Sequence, residues 1–232
     1  LLDNSWRATL VAWSLPALLV AAALFLPKRD RAKPVRKVAW LPDWHNPLTL
    51  RIGLLLGLSG SLFFGLNAYM GNLLQHQGQF DKLPDALFWY NLAQVFASLI
   101  MLKMARYWVG RRGVIATLAS ISLLGAIGAV MLTGWWSIVS ATLMSLVAGM
   151  LLILLVAIPP LVVSAAETGR LSAGTFLVGY TVAFCVPMLG GVVADWTGDA
   201  RHALMLMITY GLLVLPLAFT LNLERKKDQP ES

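Results

Sequence analysis

The chain has 232 residues, of which 58% are hydrophobic and 12% are charged, and its formal net charge is +7. A soluble domain carries about 25% charged residues, so this chain has too few charged side chains to cover a surface that faces water. The composition therefore excludes a soluble globular domain and predicts a membrane protein with several spans.

Apolar segments long enough to cross a bilayer occur seven times along the chain. A spanning helix needs about 20 mostly apolar residues, and such segments cover residues 6–26, 50–74, 84–104, 114–133, 136–163, 171–194 and 203–223. Pro84 suits a first helical turn, whereas Pro159, Pro160, Pro187 and Pro216 fall inside spans. The sequence thus predicts an all-α membrane protein with seven transmembrane helices.

The distribution of basic residues predicts how these spans are oriented. Short loops rich in Lys and Arg stay on the cytoplasmic side of a membrane, and residues 27–49 form such a loop. A chain that starts outside leaves only Arg7, Lys82 and Arg201 on the outer side. The other fifteen basic residues then lie inside: Lys28, Arg29, Arg31, Lys33, Arg36, Lys37, Arg51, Lys103, Arg106, Arg111, Arg112, Arg170, Arg225, Lys226 and Lys227. This bias predicts an outer N-terminus and a cytoplasmic C-terminus.

Several function classes lack the residues that they need. The basic charge faces the inner leaflet in this topology, which argues against a nucleic-acid partner. None of the eleven acidic residues or three histidines lies in the middle of a span, and Cys185 is the single cysteine. No set of residues has the spacing of metal ligands or of a Ser–His–Asp triad. We therefore expect no enzyme activity, no catalytic residue, no metal and no cofactor.

The polar and aromatic side chains inside the spans are neutral. Ser59, Phe63 and Asn67 are four residues apart, so they share one helical face. Neutral hydrogen-bonding groups beside aromatic rings suit a small polar solute near the midplane. The predicted substrate-binding residues are Ser59, Phe63, Phe64, Asn67, Asn91, Gln94 and Tyr180. The alternative interpretation is that the polar members form hydrogen bonds between helices.

Two further patterns concern packing. Small residues recur at helical spacing, as at Gly53 and Gly57, and such residues let membrane helices approach closely. The six spans after the basic loop form two groups of three, residues 50–133 and 136–223. An inverted repeat of three helices plus three requires this arrangement.

Three segments resemble a known transporter family. ARYWVGRRG, residues 105–113, resembles an incomplete form of the basic loop motif of the major facilitator superfamily (MFS). Residues 6–27 resemble the sixth helix of the CynX/NimT branch, the cyanate and nitroimidazole transporter-like family. Residues 164–201 resemble the tenth-to-eleventh helix region of the same branch through Leu171, Ser172, Gly179, Tyr180, Pro187 and Asp195.

The resemblance implies that the chain is helices six to twelve of a twelve-helix transporter in a bacterial inner membrane. Residues 1–26 would be the last helix of the N-terminal half, 27–49 the central cytoplasmic loop, 50–223 the C-terminal six-helix half of an MFS fold, and 224–232 a cytoplasmic tail. The expected partners are a small-molecule solute, the lipid bilayer and the missing N-terminal helices. The resemblance implies a nitro compound or a cyanate-like anion, although no buried cation in the sequence itself selects an anion.

The implied function is secondary-active or facilitative transport of a small organic solute by alternating access. In this interpretation Pro187 lets the sixth span bend, and five loop residues form or pair at the inner gate: Arg106, Arg111, Arg112, Glu167 and Arg170. The alternative from another class is a seven-span membrane receptor or scaffold without transport activity.

Overall fold

The computed structural model describes residues 6–23, 41, 42, 44 and 46–223. The chain divides into two compact units, Leu1–Lys37 and Val38–Ser232. The first unit contains helix α1, Trp6–Ala23, an 18-residue helix with Pro16 inside it. Most of the predicted basic loop and the whole predicted tail, residues 224–232, lie outside the described residues.

The second unit contains the remaining helices. A short 3-10 helix, Phe80–Lys82, lies between the first two of them. The α-helices are α2 Pro47–His76, α3 Leu83–Trp108, α4 Arg112–Met131, α5 Trp135–Val156, α6 Pro159–Val162, α7 Ala165–Thr197 and α8 Arg201–Phe219. No strand occurs among the described residues, which confirms the all-helical class.

Six of these helices are long and apolar enough to cross a membrane within the described part of the chain: α2, α3, α4, α5, α7 and α8. This is the pattern of an integral membrane protein. A seventh span, which the sequence places at residues 6–26, stays a prediction. With a rise of about 1.5 Å per residue, α7 is about 50 Å long and exceeds the hydrocarbon thickness of about 30 Å.

Local sequence explains where several helices begin and end. Asn46 caps α2, because its Oδ1 accepts a hydrogen bond from the Leu48 backbone N–H at 3.0 Å. Pro84 lies in the first turn of α3, as predicted. Gly198 follows α7 with a φ of +70°, a left-handed conformation that glycine adopts without steric cost.

The prediction that the fifth span runs to residue 163 is wrong. Helix α5 ends at Val156, and Pro159 and Pro160 begin the separate short helix α6. A proline inside a helix loses one hydrogen bond, and its ring clashes with the carbonyl four residues earlier. Two adjacent prolines double this cost, whereas a first helical turn tolerates them. Pro187 and Pro216 do lie inside helices, in α7 and α8.

Helix α2 lies at the centre of the second unit, where it packs against α7, α8 and α5. Its packing partners follow a pattern when the helices are grouped as α2–α3–α4 and α5–α7–α8. The first helix of each group packs against the second of the other, as α2 does with α7 and α5 with α3. The first helix also packs against the third of the other group, α2 with α8 and α5 with α4. The contact between α7 and α8 has no counterpart of similar extent between α3 and α4.

Glycines on α2 allow its close packing against α7. A Cβ atom at Gly53 would lie 2.7 Å from Val178 Cβ, and one at Gly57 would lie 2.6 Å from Val182 Cγ1. Lipid tails are as apolar as the side chains, so close contact between helices is a main source of stability here. The predicted close approach at Gly53 and Gly57 is confirmed.

Replacing Gly57 with valine should therefore push α2 away from α7. Overpacking a tight contact costs about 1–3 kcal/mol, and the Gly57→Val protein should show a lower midpoint of thermal unfolding by circular dichroism in detergent micelles. Gly169→Val is the matched control, because a Cβ atom at Gly169 meets no heavy atom within 4 Å. Equal midpoints for both variants would contradict this account of the contact.

Candidate solute-binding site

A small cavity lies where α2, α3, α5 and α7 meet. Its volume is about 110 Å³, and lining residues come from all four helices. Five of the seven predicted binding residues line it: Ser59, Phe63, Phe64, Gln94 and Tyr180. The fold therefore brings together side chains that are up to 121 positions apart in the sequence.

Ser59 lies at the buried base of this group. Ser59 is only 2% exposed, and its hydroxyl donates a hydrogen bond to the Ala148 carbonyl at 2.7 Å. This hydrogen bond joins α2 to α5, as the alternative interpretation of the polar residues expects. Ser59, which lines the cavity, thus has its proton already donated, and both lone pairs of its hydroxyl oxygen can still accept.

Gln94 connects α3 to α5 through a short network. Its amide nitrogen donates to the Ser145 carbonyl at 2.6 Å and to Ser145 Oγ at 3.0 Å. Ser145 Oγ in turn donates to the Tyr90 carbonyl at 2.7 Å. The Tyr90 hydroxyl donates to the Phe63 carbonyl at 2.9 Å, which extends the network to α2. The backbone around the cavity is therefore held by side-chain hydrogen bonds that cross between helices.

Aromatic rings form the other wall. Phe63 stacks on Tyr90, and Phe64 stacks on Phe184, each pair with ring centroids 5.4 Å apart. Phe64 is 39% exposed and Tyr180 is 45% exposed, so the cavity is reachable from the surface of the bundle. The Tyr180 hydroxyl makes no hydrogen bond to any other described residue and remains available to a solute.

Two predicted binding residues lie elsewhere. Asn67 and Asn91 do not line the cavity and instead bond to each other, with Asn67 Nδ2 donating to Asn91 Oδ1 at 3.1 Å. Asn91 Nδ2 also donates to the Leu87 carbonyl at 2.8 Å. The pair bridges α2 and α3 and leaves only part of its hydrogen-bonding capacity free.

Sequence reasoning missed the contribution of α5 to the cavity. Gly149 lines it, and a Cβ atom there would collide with Gln94 Oε1. Ser145 does not line the cavity, but it accepts the hydrogen bonds that hold the Gln94 amide in place. Ser145 and Gly149 are four positions apart, so a hydroxyl and a glycine share one face of α5. This spacing is the sequence pattern from which a contribution of α5 to the cavity could have been predicted.

The predicted gate arginines lie near the end of the bundle where α3 ends and α4 begins. Arg111 and Arg112 line a larger cavity of about 900 Å³ beside Trp108 and Leu223. The Arg106 guanidinium carbon lies 4.4 Å from the centre of the neighbouring Tyr107 ring, a cation–π contact.

The expected pairing of Glu167 with these arginines is not found among the described residues. Glu167 Oε2 instead accepts a hydrogen bond from Ser164 Oγ at 3.1 Å, within the first turn of α7. Arg170 Nε donates to the Leu41 carbonyl at 2.8 Å and so attaches α7 to the segment before α2. An acidic side chain at a helix N-terminus is stabilised locally by the helix dipole, which explains why Glu167 needs no distant partner.

Pro187 lies beside a contact between α2 and α7. Proline has no N–H, so the carbonyl of Ala183 loses its usual helical donor. The Tyr69 hydroxyl on α2 donates to the Pro187 carbonyl at 3.1 Å. Ala183 lines the cavity, and the interrupted hydrogen bond therefore lies next to the candidate site. The expected bending of α7 at Pro187 stays a prediction.

A charged cluster occupies the opposite end of the bundle, at the turn between α7 and α8. Asp199 Oδ2 lies 2.7 Å from Arg201 Nη2, and Asp199 Oδ1 accepts from the Arg201 backbone N–H at 2.9 Å. His76 Nε2 lies 3.9 Å from the same carboxylate. The hydrogen bonds from Arg201 lower the pKa of Asp199 to about 2. Within the described residues, no three His, Cys, Asp or Glu side chains group as metal ligands.

Comparisons of the sequence with known protein-family models and with curated proteins find no match. The interpretation of the cavity therefore depends on its own residues and on their positions in the fold.

The network around Gln94 should stabilise the bundle measurably. Ser145→Ala leaves the Gln94 amide with one partner fewer and frees the Tyr90 carbonyl, and we expect a loss of about 1 kcal/mol in the free energy of unfolding. Steric trapping or denaturant unfolding in mixed micelles measures this change. Ser98→Ala is the control, because the exposed Ser98 hydroxyl bonds only within its own helix, to the Gln94 carbonyl. Equal losses in both variants would refute a special role for Ser145.

The Asp199–Arg201 pair should make stability depend on pH at the acid end. The pKa of Asp199 is about 2 in the folded protein and about 3.9 for an unperturbed aspartate, so the pair stabilises the fold above the latter value and the benefit disappears as pH falls towards 2. We expect Asp199→Asn to cost at most about 1 kcal/mol at pH 7.

Thermal unfolding followed at several pH values checks this effect. The midpoints of the original protein and of Asp199→Asn should differ at pH 7 and converge at acid pH. Asp81→Asn, which makes the same change at an exposed site in the 3-10 helix, is the matched control. A constant difference between the original protein and Asp199→Asn at every pH would count against the pairing.

Proposed function

We propose that this chain is the C-terminal portion of a twelve-helix secondary transporter of the major facilitator type, which moves a small organic solute by alternating access. The observation that carries the proposal is the cavity between α2, α3, α5 and α7, with its neutral polar and aromatic wall. Transporter sites lie near the bilayer midplane where helical repeats meet. Ser59, Gln94, Gly149 and Tyr180 all occur near the middle of their helices, which supports a site at that depth.

The helix packing gives independent support. In an inverted repeat, the main contacts between the two groups of three helices recur when the groups are exchanged. The contact between α7 and α8, within one group, is the exception here. The contacts of α2 with α7 and α8 correspond under that exchange to those of α5 with α3 and α4. The cavity lies beside α2 and α5, the two first helices of the groups, where a repeat would place its central site.

The proposal assigns roles to the remaining features. Helix α1 is the last span of the N-terminal half, and the basic loop joins the halves on the cytoplasmic side of a bacterial inner membrane. Arg106, Arg111 and Arg112 contact lipid phosphates and loops at the inner gate, and Pro187 lets α7 bend as the halves rock. The N-terminal helices complete the transport path.

Uptake by the full-length protein in proteoliposomes tests this function. We expect uptake of a small organic solute, and Tyr180→Phe should lower its kcat/KM about tenfold, since one hydrogen bond to the solute is lost. Tyr107→Phe is the matched control, because it removes the same hydroxyl at an exposed position away from the cavity.

Two results would contradict the proposal. If the intact, folded protein takes up no solute, with or without an imposed pH gradient, the receptor or scaffold alternative is favoured. If both tyrosine variants lose activity equally, Tyr180 has no role at the site.

A further inference from the structure

The hydrogen-bonding character of the cavity wall follows from contacts already present in the protein. We propose that this cavity selects an uncharged solute bearing an N–H or O–H donor and rejects anions, because its wall presents oxygen acceptors. The inference rests on the proposed function, since it concerns the same site, and it narrows the solute to one chemical class.

The orientation of the Gln94 amide is the first step. Its nitrogen lies 2.6 Å from the Ser145 carbonyl oxygen, which can only accept a hydrogen bond. It also lies 3.0 Å from Ser145 Oγ, whose own proton goes to the Tyr90 carbonyl. Both neighbours require a donor, so the atom that faces them must be the nitrogen rather than the oxygen. The amide nitrogen is thereby engaged with Ser145, and Oε1 lies on the other side of the amide carbon.

The space beside Oε1 is the second step. A Cβ atom at Gly149 would collide with Gln94 Oε1, and both residues line the cavity. The absence of a side chain at Gly149 therefore leaves room for Oε1 itself against the α5 backbone. Gln94 Oε1 accepts no hydrogen bond from any described residue, so a solute in the cavity finds a free acceptor there.

The other polar groups of the wall are the third step. The Ser59 proton is donated to the Ala148 carbonyl, which leaves the hydroxyl oxygen as an acceptor. Among the lining side chains, which the structure describes in full, the Tyr180 hydroxyl is the one donor not already used. Acceptors thus outnumber donors in this wall.

The absence of positive charge in these spans is the fourth step. No Arg, Lys, His, Asp or Glu occurs at residues 52–75 of α2, 86–102 of α3, 135–156 of α5 or 171–194 of α7. An anion that left water for this cavity would gain no cation from these four helices, which would leave its desolvation uncompensated by them. A neutral solute pays far less, and the rings of Phe63 and Phe64 can cover its apolar faces. The cyanate-like anion implied by the family resemblance therefore fits this wall poorly.

Three five-membered ring compounds of nearly equal size serve as probes, because they differ in the N–H donor and in charge. Pyrazole is neutral and has one N–H, isoxazole is neutral with oxygen in place of that N–H, and tetrazole is an anion at neutral pH. Their affinities for the full-length protein in nanodiscs are measured by ligand-observed NMR with competition. We expect pyrazole to bind about tenfold more tightly than either of the others, the value of one hydrogen bond to a buried acceptor.

Two variants connect this preference to Gln94. Gly149→Ala places a Cβ where it would collide with Oε1 and so displaces the acceptor, while Gln94→Leu removes the acceptor itself. Either change should reduce pyrazole to the affinity of isoxazole. Gly169→Ala, at a site where an added Cβ meets no heavy atom within 4 Å, should change nothing.

The inference is overturned if isoxazole or tetrazolate binds as tightly as pyrazole, if none of the three binds, or if the preference survives in both variants. Binding is measured without transport, so the two proposals can fail separately. Pyrazole selectivity in a protein that transports nothing would uphold the cavity chemistry and refute the transporter. Uptake of an organic anion by a protein that binds none of the three probes would uphold the transporter and refute the cavity chemistry.

Discussion

The interior of a bilayer offers no water to a polar group, and this constraint organises the whole bundle. Hydroxyl groups that face neighbouring helices donate to backbone carbonyls there, as Tyr210 does to Leu54 at 2.8 Å and Tyr69 does to Pro187. Because hydrophobic burial contributes little between membrane helices, glycines replace bulky residues where the helices cross. Gly53 and Gly57 on α2 are the clearest case, and they make α2 the central helix of the second unit.

The same constraint determines the chemistry of the cavity. Ser59 and Gln94 donate their protons to α5, which stabilises the packing of α2 and α3 against it. In each residue, a side-chain oxygen can still accept a hydrogen bond: Oγ of Ser59 and Oε1 of Gln94. The same two side chains therefore donate hydrogen bonds between helices and keep an acceptor for a solute. Interhelical bonding and solute binding, which are alternatives from sequence alone, become compatible at these residues.

The extent of the prediction follows from what each pattern encodes. Hydropathy located the six spans of the second unit because length and apolarity are properties of each segment alone. The predicted fifth span extends beyond the end of α5, because Pro159 and Pro160 interrupt the helix but not the apolar segment. Helical spacing placed Ser59 and Phe63 on one face, yet it could not show that Asn67 turns to Asn91. The role of Gly149 depends on which helix lies opposite, and that information is absent from local periodicity.

Access to the cavity from both sides of the membrane is the central claim, and cysteine labelling of the full-length protein tests it most directly. Phe64→Cys, in a background where Cys185→Ser and any further cysteines of the full-length protein are also replaced, places one thiol on the cavity wall. A membrane-impermeant maleimide should label it in both right-side-out and inside-out vesicles, and excess solute should protect it in both. Labelling from one side only, in a protein that remains folded, would contradict alternating access and favour a receptor or scaffold.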